Sequence, residues 1–590
     1  MTIPFEPRLI DRHFADFIAR HSGAMEHDAL RLVVARLSAA VGEGHTCLDL
    51  HECAGLAFEW EGCLTELPSF RELYRHLKSL PTVASAGERK PLVLDDAGRL
   101  YLYRYWRYEQ ELARMVLDMA ADDGVVVDEG LLGEGLQRLF AENRDDDGED
   151  FQKIAASLVV HKRFAVICGA PGTGKTSTVV KILALLQEQA QAQAQGRPLR
   201  IALAAPTGKA AARLKHSLTL LQERLATSDA IKSVIPQEVT TLHRLLGSVT
   251  GSVRFRHSAL NQLPFDMVVL DEASMVSLPL MAKLVTALKP AARLLLLGDR
   301  DQLASVEAGA VLGDICSSAD ASASSLLAGS LIELQKNYRF AADSTIAALS
   351  RAVNLGQSSS ALALFGEERD AGVVLCPLPS PDKLKQSLSR VVIEGYRSCF
   401  EALTPGEALE RFERFRILCA LREGVYGVTG INALVETILH AEGVLDPALR
   451  WYRGRPLLVT ANDYPMQLFN GDIGMVFPDT AQGGATRVFF PASDGGLRAV
   501  APERLVQHET AFAMTVHKSQ GSEFDRVLLI LPPRDSDLLS RELLYTAITR
   551  ARHRVEIWGS EGGFSAAVKR KTQRASGLQD ALTVGVSSRP

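Results

Sequence analysis

Residues 164–180 read "FAVICGAPGTGKTSTVV", and the fold can be read outward from this stretch. Its first five residues, Phe164 to Cys168, are apolar and make a short, fully buried strand. "GAPGTGKT" at 169–176 then fits the pattern G-x-x-x-x-G-K-[ST] in full, and "TSTVVKILALL" continues as a helix. In such a loop Gly169, Ala170, Pro171, Gly172, Thr173 and Gly174 turn tightly enough for backbone N–H groups to wrap a polyphosphate. The helix N-terminus that follows adds its dipole. Lys175 would reach the β- and γ-phosphates and Thr176 would hold Mg²⁺.

Downstream, "RIALAAP", "DMVVLDE" and "ARLLLLGD" are further short apolar strands, separated by helical patterns. That alternation predicts a doubly wound α/β domain with a parallel sheet. Asp271 ends one strand, where a Mg²⁺-holding carboxylate belongs, and Glu272 follows as a base for an attacking water. Glu272 points to hydrolysis rather than transfer to a small acceptor. "LLLLGDRDQLASVEAG" adds a strand end with Gln302 placed to sense the γ-phosphate. "ELQKNYRF" supplies Tyr338 and Arg339 beyond the Ser-rich stretch 317–325, which reads as a loop between domains and so predicts both on a second domain.

The rest of the chain sets the frame. At 590 residues it exceeds one hydrophobic core, so several domains are expected. Hydrophobic residues make 47% and charged residues 23%, an ordinary soluble composition without a run long enough to cross a bilayer. No secretory signal is visible, and the eight cysteines are mostly single in apolar surroundings, which predicts a reduced, cytoplasmic protein. "HTCLDLHECAGLAFEWEGC" gathers Cys47, Cys53 and Cys63 with two histidines but has no C-x-x-C pair, so it reads as strand and turn rather than a metal site. A net charge of −5 means that nucleic acid would need a local basic path.

The pattern along the chain predicts a mainly helical N-terminal domain over 1–115 and an exposed linker over 116–150 around the acidic run 141–150. A first α/β domain covers 151–325, with a hairpin insertion at 247–266. A second covers 326–429 and 506–590, split by a small β-barrel module at 430–505 rich in Asn-Gly and Gly-Gly turns. The run "YLYRYWRYEQ" near the end of the first segment could stack bases, but aromatics mixed with arginine also build protein interfaces, the favoured reading.

Taken in order, "GAPGTGKT", "APTGKAAARL", "TLHRLLG", "VVLDEASM", "GDRDQLASVEAGAVLGDI", "NYRF", "TVHKSQGSEFD" and "LYTAITRAR" resemble the motifs of superfamily 1 helicases, and in detail those of the RecD family. The resemblance covers about 151–345 and 506–560 closely. It implies two RecA-like motor domains with ATP and Mg²⁺ in the cleft between them, and an SH3-like inserted barrel. By the same resemblance Arg339 and Arg550 stabilise charge on the γ-phosphate, Arg552 being structural. Gln152 reads the adenine, Tyr338 stacks on it, and Gln520 and Glu523 contact phosphate and ribose.

Thr207 and Lys209, Thr241 and His243, and Thr515, His517 and Lys518 lie at strand ends and together make a candidate track for single-stranded DNA. The function implied is a 5′-to-3′ ATP-dependent DNA helicase, the RecD-like subunit of a RecBCD-type helicase–nuclease acting in double-strand break repair and recombination. RecB-like and RecC-like subunits would be partners, docked on the N-terminal domain, and would carry the nuclease. The polarity comes wholly from the resemblance. The alternatives are a stand-alone helicase of the same superfamily and an ATP-switched DNA-binding subunit without translocation.

Overall fold

The structure is a computed structural model. It describes residues 2–23, 28–60, 62–85, 88–122, 124–141, 150–193, 196–249, 251–321, 325–339, 344–365, 372–446, 448–463, 465–492 and 495–584. Most of the acidic run 141–150 and the middle of the Ser-rich stretch therefore lie outside the described residues.

The strand Phe164–Gly169 sits inside a six-stranded parallel sheet. From edge to edge the order is Val239–Thr241, Ile201–Ala205, Met267–Leu270, Arg293–Gly298, Phe164–Gly169 and Leu331–Leu334. Both faces are covered by apolar cores, which is why these strands read as unbroken apolar runs rather than as alternations.

The last of these strands corrects the predicted boundary at 325/326. Leu331–Leu334 pairs with the P-loop strand, so Tyr338 and Arg339 leave the first domain, not the second. The Ser-rich stretch joins two elements of one sheet, and its composition mimicked a linker.

A second parallel sheet has five strands, in the order Val373–Cys376, Ala551–Trp558, Phe524–Ile530, Phe415–Cys419 and Ala513–Thr515. Between its strands Phe415–Cys419 and Ala513–Thr515 lies a five-stranded antiparallel sheet. Its order is Leu497–Val500, Ala485–Pro491, Ile473–Asp479, Pro456–Val459 and His508–Thr510, around a small core of Leu457, Val476, Val488 and Phe490. Gly483 and Gly484, at φ +66° and +83°, make one of its tight turns. The insertion is shorter at its start than the predicted 430–505, because Val428–Ala441 is a helix packed in the second domain's core. It is also longer at its end, since His508–Thr510 is its edge strand.

The N-terminal segment is mixed rather than mainly helical. Helices Leu9–His21, Asp28–Gly42 and Phe70–Lys78 accompany a three-stranded and a four-stranded sheet whose strands are only two to four residues long. Its end at 115 is also corrected. Tyr103–Ala120 is one helix whose Leu112 and Val116 share a core with Leu278 and Met281 of the first α/β domain.

In the "YLYRYWRYEQ" run, Tyr101 is buried, Tyr105 and Tyr108 pack on that same core, and Tyr103 and Trp106 pack against the cluster of Cys47 and Tyr101. The run closes the chain on itself rather than facing outward. The "linker" holds the helix Glu129–Leu139, packed on the helix after the P-loop. Residues 571–584 belong to neither half of the predicted second domain: the helix Leu578–Val584 packs on Val311–Asp320 and Tyr103–Ala120. The expected hairpin at 247–266 has two isolated antiparallel bridges, Ser248 with Phe255 and Ser258 with Asn261, in place of a regular ladder. Among the described residues no group of three or more His, Cys, Asp and Glu is placed to hold a metal, in the Cys47 region or elsewhere, and no helix is long and apolar enough to cross a membrane.

Candidate nucleotide site

The P-loop leaves the strand at Gly169 and enters the helix Lys175–Ala192. Gly172 and Gly174 hold φ at +89° and +81°, values that leave no room for a side chain without strain. Space matters as much as conformation. A Cβ on Gly172 would meet Arg339, and one on Gly174 would meet Gln152. Both close approaches are to residues that the resemblance assigned to nucleotide binding. The Lys175 ammonium donates to the carbonyls of Gly169 and Ala170 at 2.5 and 3.0 Å, within the loop that a polyphosphate would occupy.

A cavity of about 320 Å³ opens in front of the loop, lined by Lys175, Thr176, Asp271, Glu272, Gln302, Tyr338, Arg339 and Arg550. Asp271 ends its strand with its Oδ1 accepting the N–H of Glu272 at 2.9 Å. Burial, with Glu272 next to it, pushes the Asp271 carboxyl up to about 6. Asp299 lies deeper, where its Oδ2 accepts from Gln302 Nε2 and from the Tyr545 hydroxyl, both at 2.9 Å. Gln302 thus has its amide N–H committed, while its Oε1 has no hydrogen-bond partner among the described residues.

The 337–339 segment is tied directly to the loop. Asn337 Nδ2 donates to Pro171 O at 2.9 Å and Tyr338 N to Gly172 O at 2.8 Å. Arg339 Nη2 meets Glu523 at 2.5 Å, and its Nη1 is buried with no partner among the described residues. Burial and the neighbouring Arg213, Arg550 and Arg552 pull the Arg339 guanidinium down to about 9.

Arg550 approaches from the other domain. It is buried, with Nε and Nη1 donating to Thr546 O and Ser522 O at 3.1 Å, and Glu272 is the first of the anions that offset its burial.

Two assignments are corrected. Gln520 does not line the cavity; its Nε2 donates to Leu303 O at 2.7 Å, while Leu303 N donates to Thr546 Oγ1 at 2.9 Å, so the second domain grips the residue after Gln302 from both sides. Glu523 does line the cavity, but its carboxylate is taken by Arg213, Arg339 and Arg552 rather than left open for a ribose. Gln152 donates to Thr173 O at 3.3 Å and lies beside the loop, and Tyr338 is half exposed at its mouth. Arg213, Asn337, Asp299 and Tyr545 were not found from sequence; "AAARL" gave the only signal for Arg213.

The seven candidate track residues lie at or just after the carboxyl ends of parallel strands. Thr207 and Thr241 cap helices, accepting from Ala210 N and Arg244 N, and Thr515 accepts from Lys518 N. Lys209 is half-buried, and its desolvation lowers its ammonium to about 8. His243 is 5.8 Å from the Phe255 ring, and burial also lowers its pKa. Burial and Arg574 lower that of His517, and Lys518 pairs with Glu509 at 2.6 Å. Phe469 of the inserted sheet closes on this row: a Cβ on Gly208 would touch its ring, and the Arg244 guanidinium lies 4.5 Å from it.

The family model for the RecBCD enzyme subunit RecD, N-terminal domain, matches residues 8–101. An AAA domain model matches 152–308 and a UvrD-like helicase C-terminal domain model 510–557. The RecBCD enzyme subunit RecD of Mycolicibacterium smegmatis is 40% identical over 573 residues, 95% of each chain. The chain belongs to the RecD family. The RecBCD enzyme subunit RecD of Haemophilus influenzae is 33% identical over 93% of this chain and 92% of the relative. The ATP-dependent RecD2 DNA helicase of Deinococcus radiodurans is 30% identical over 81% of this chain and 57% of that one. The first family model ends inside the strand Arg99–Leu102, just before the helix Tyr103–Ala120 that packs on the first α/β domain.

Proposed function

We propose that this chain is an ATP-hydrolysing 5′-to-3′ DNA helicase that works with RecB-like and RecC-like subunits as part of a helicase–nuclease for double-strand breaks. The observation that carries the reading is Arg550, which comes from the domain without a P-loop and lines the same cavity as Lys175, Asp271 and Glu272. A motor needs such an arrangement, since hydrolysis then depends on how the two domains meet.

In this reading Lys175 and the loop amides hold the phosphates, and Glu272 takes a proton from the attacking water that Gln302 Oε1 orients. Arg339 and Arg550 stabilise the charge that develops on the γ-phosphate, a contribution on the order of 10³-fold or more for such arginines. Thr176 and Asp271 fit a Mg²⁺ ion, because both line the cavity and Asp271 is a half-buried carboxylate with a second carboxylate beside it and a backbone N–H among its partners. The ion would neutralise phosphate charge. Gln152 and Tyr338 hold the adenine. Gln520 acts through Leu303 instead of touching phosphate.

Single-stranded DNA runs along the Thr207, Thr241 and Thr515 row, beneath Phe469 and the inserted sheet, which we read as an SH3-like barrel. The test is the ATPase rate of the full-length chain with and without single-stranded DNA, against Lys175→Gln. Stimulation by DNA that disappears in K175Q supports a motor; nucleotide binding with no turnover, alone or with partner subunits, would leave only a switch.

A further inference from the structure

Arg213 faces the nucleotide cavity from the helix Gly208–Glu223, so it belongs to the same domain as the P-loop. The reading of the cavity gives it no task. Its neighbours are the ones a phosphate residue would have: Asp271 and Glu272 attract it, and Arg550 and Arg552 repel it. The hydrogen bond of its guanidinium goes to Glu523, which also holds Arg339 at 2.5 Å and Arg552 at 3.3 Å.

One carboxylate cannot neutralise three guanidiniums. The lining as a whole has four cations (Lys175, Arg213, Arg339, Arg550) against three carboxylates (Asp271, Glu272, Glu523), so it carries excess positive charge before Arg552 is added. The buried, unpartnered Nη1 of Arg339 says the same at the level of one atom. A triphosphate supplies the missing negative charge. Glu523 is moreover a residue of the second domain, whereas Arg213 and Arg339 are on the first, so the carboxylate occupies the arginines across the domain boundary.

We infer that Arg213 is a further residue acting on the γ-phosphate, one that Glu523 holds until a triphosphate competes for it. The inference rests on the ATPase reading above. An ion-pair residue with a purely structural task would affect ADP and ATP alike. A residue reaching the γ-phosphate affects only the triphosphate.

The experiment is titration of the full-length chain with Mg²⁺–ADP and with Mg²⁺ and a non-hydrolysable ATP analogue, for wild type, Arg213→Gln and Glu523→Gln. In R213Q the analogue should bind about 10-fold or more weakly while ADP shifts less than about two-fold, the loss of one charge-assisted contact. In E523Q the preference for the analogue over ADP should rise, since nothing competes for Arg213.

An unchanged preference in R213Q overturns the inference, even if both nucleotides weaken. Should R213Q fail to fold, Arg213→Met is read the same way, and an unchanged preference in E523Q overturns the holding by Glu523. If wild type binds neither nucleotide, the ATPase reading and this inference fall together; if wild type prefers the triphosphate and R213Q does too, only the inference falls.

Discussion

Glu272 holds φ at +52°, a left-handed value found at only one other non-glycine residue, Gln467, among the described residues. Such a backbone costs about 1–3 kcal/mol and persists where function uses it. Here it places a second carboxylate against Asp271, which its neighbour and burial already push up to about 6. Glu272→Gln removes the proton acceptor and one of two like charges. The ATPase kcat should fall by about 10²- to 10⁴-fold, while nucleotide still binds and the melting temperature does not drop. Steady-state turnover and a thermal melt check this, and a lower melting temperature would mean that the charge holds the strand end together. Lys175, Thr176, Asp271 and Glu272 were legible in the sequence because each belongs to a contiguous run that dictates its own backbone path. Asn337 and Arg213 were not, since their tasks arise from contacts with Pro171 and Glu523 that no local pattern encodes. Arg339 was found as a residue and misplaced as to domain, because only the pairing of Leu331–Leu334 with the P-loop strand decides it.

Among the elements, the C-terminal strap has the most unusual path. After the helix Glu561–Lys569 of the second domain, Arg574 donates to Glu307 O and Gly309 O, Ala575 O accepts from Thr46 N, and Leu578 and Leu582 enter the first domain's core. Ser576 Oγ lies 3.0 Å from both Glu109 Oε1 and Asp314 Oδ2. One hydroxyl proton cannot serve two carboxylates, so the cluster needs a second proton. Burial raises both acids, and pushes Asp314 up to about 7, with Glu109 adding to the shift and Arg574 opposing it. A raised folded pKa stabilises below the unfolded value and loses that stabilisation as pH rises to the folded one. Protection of the 574–584 amides, corrected for intrinsic exchange, should therefore fall between pH 3.8 and about 7 and then level off. Asp314→Asn keeps the Ser576 contact and should flatten the dependence; hydrogen exchange reads both, and an unchanged slope would put the titration on Glu109. The parallel strands were plain in sequence because doubly buried strands are apolar throughout. The strands of the N-terminal domain, two to four residues each, are too short for alternation to register, and the strap's hydrophobic pair is too short to declare its partner.

At the scale of the whole molecule, contacts of the second α/β domain with Leu303, Asp299 and the Glu523 arginines lie in or beside the nucleotide cavity, so a nucleotide that changes them changes how the domains meet. The N-terminal domain lies outside those contacts. The helix Tyr103–Ala120 and the strap fix it to the first motor domain, which leaves its other surface free to bind something else. On the helix Leu9–His21 the exposed face shows Leu9, Ile10 and Phe17, at 72%, 64% and 49% exposure, where a solvated helix would carry polar residues. Ile10 and Phe17 are seven residues apart and so share one stripe, two turns long. An apolar stripe on a domain whose family model is named for a subunit of a larger enzyme is suited to the RecB-like or RecC-like partner. Ile10→Asp with Phe17→Asp would bury two unpaired carboxylates in that interface. Loss of about 2 kcal/mol at an anchor position weakens binding roughly 30-fold. The variant should therefore no longer co-elute with the partner subunits at micromolar concentration, while its own DNA-stimulated ATPase stays at the wild-type rate, because neither residue touches the motor. Co-elution with normal stoichiometry would exclude this face. Loss of ATPase along with assembly would show instead that the N-terminal domain braces the motor, through the same helix and strap that carry it.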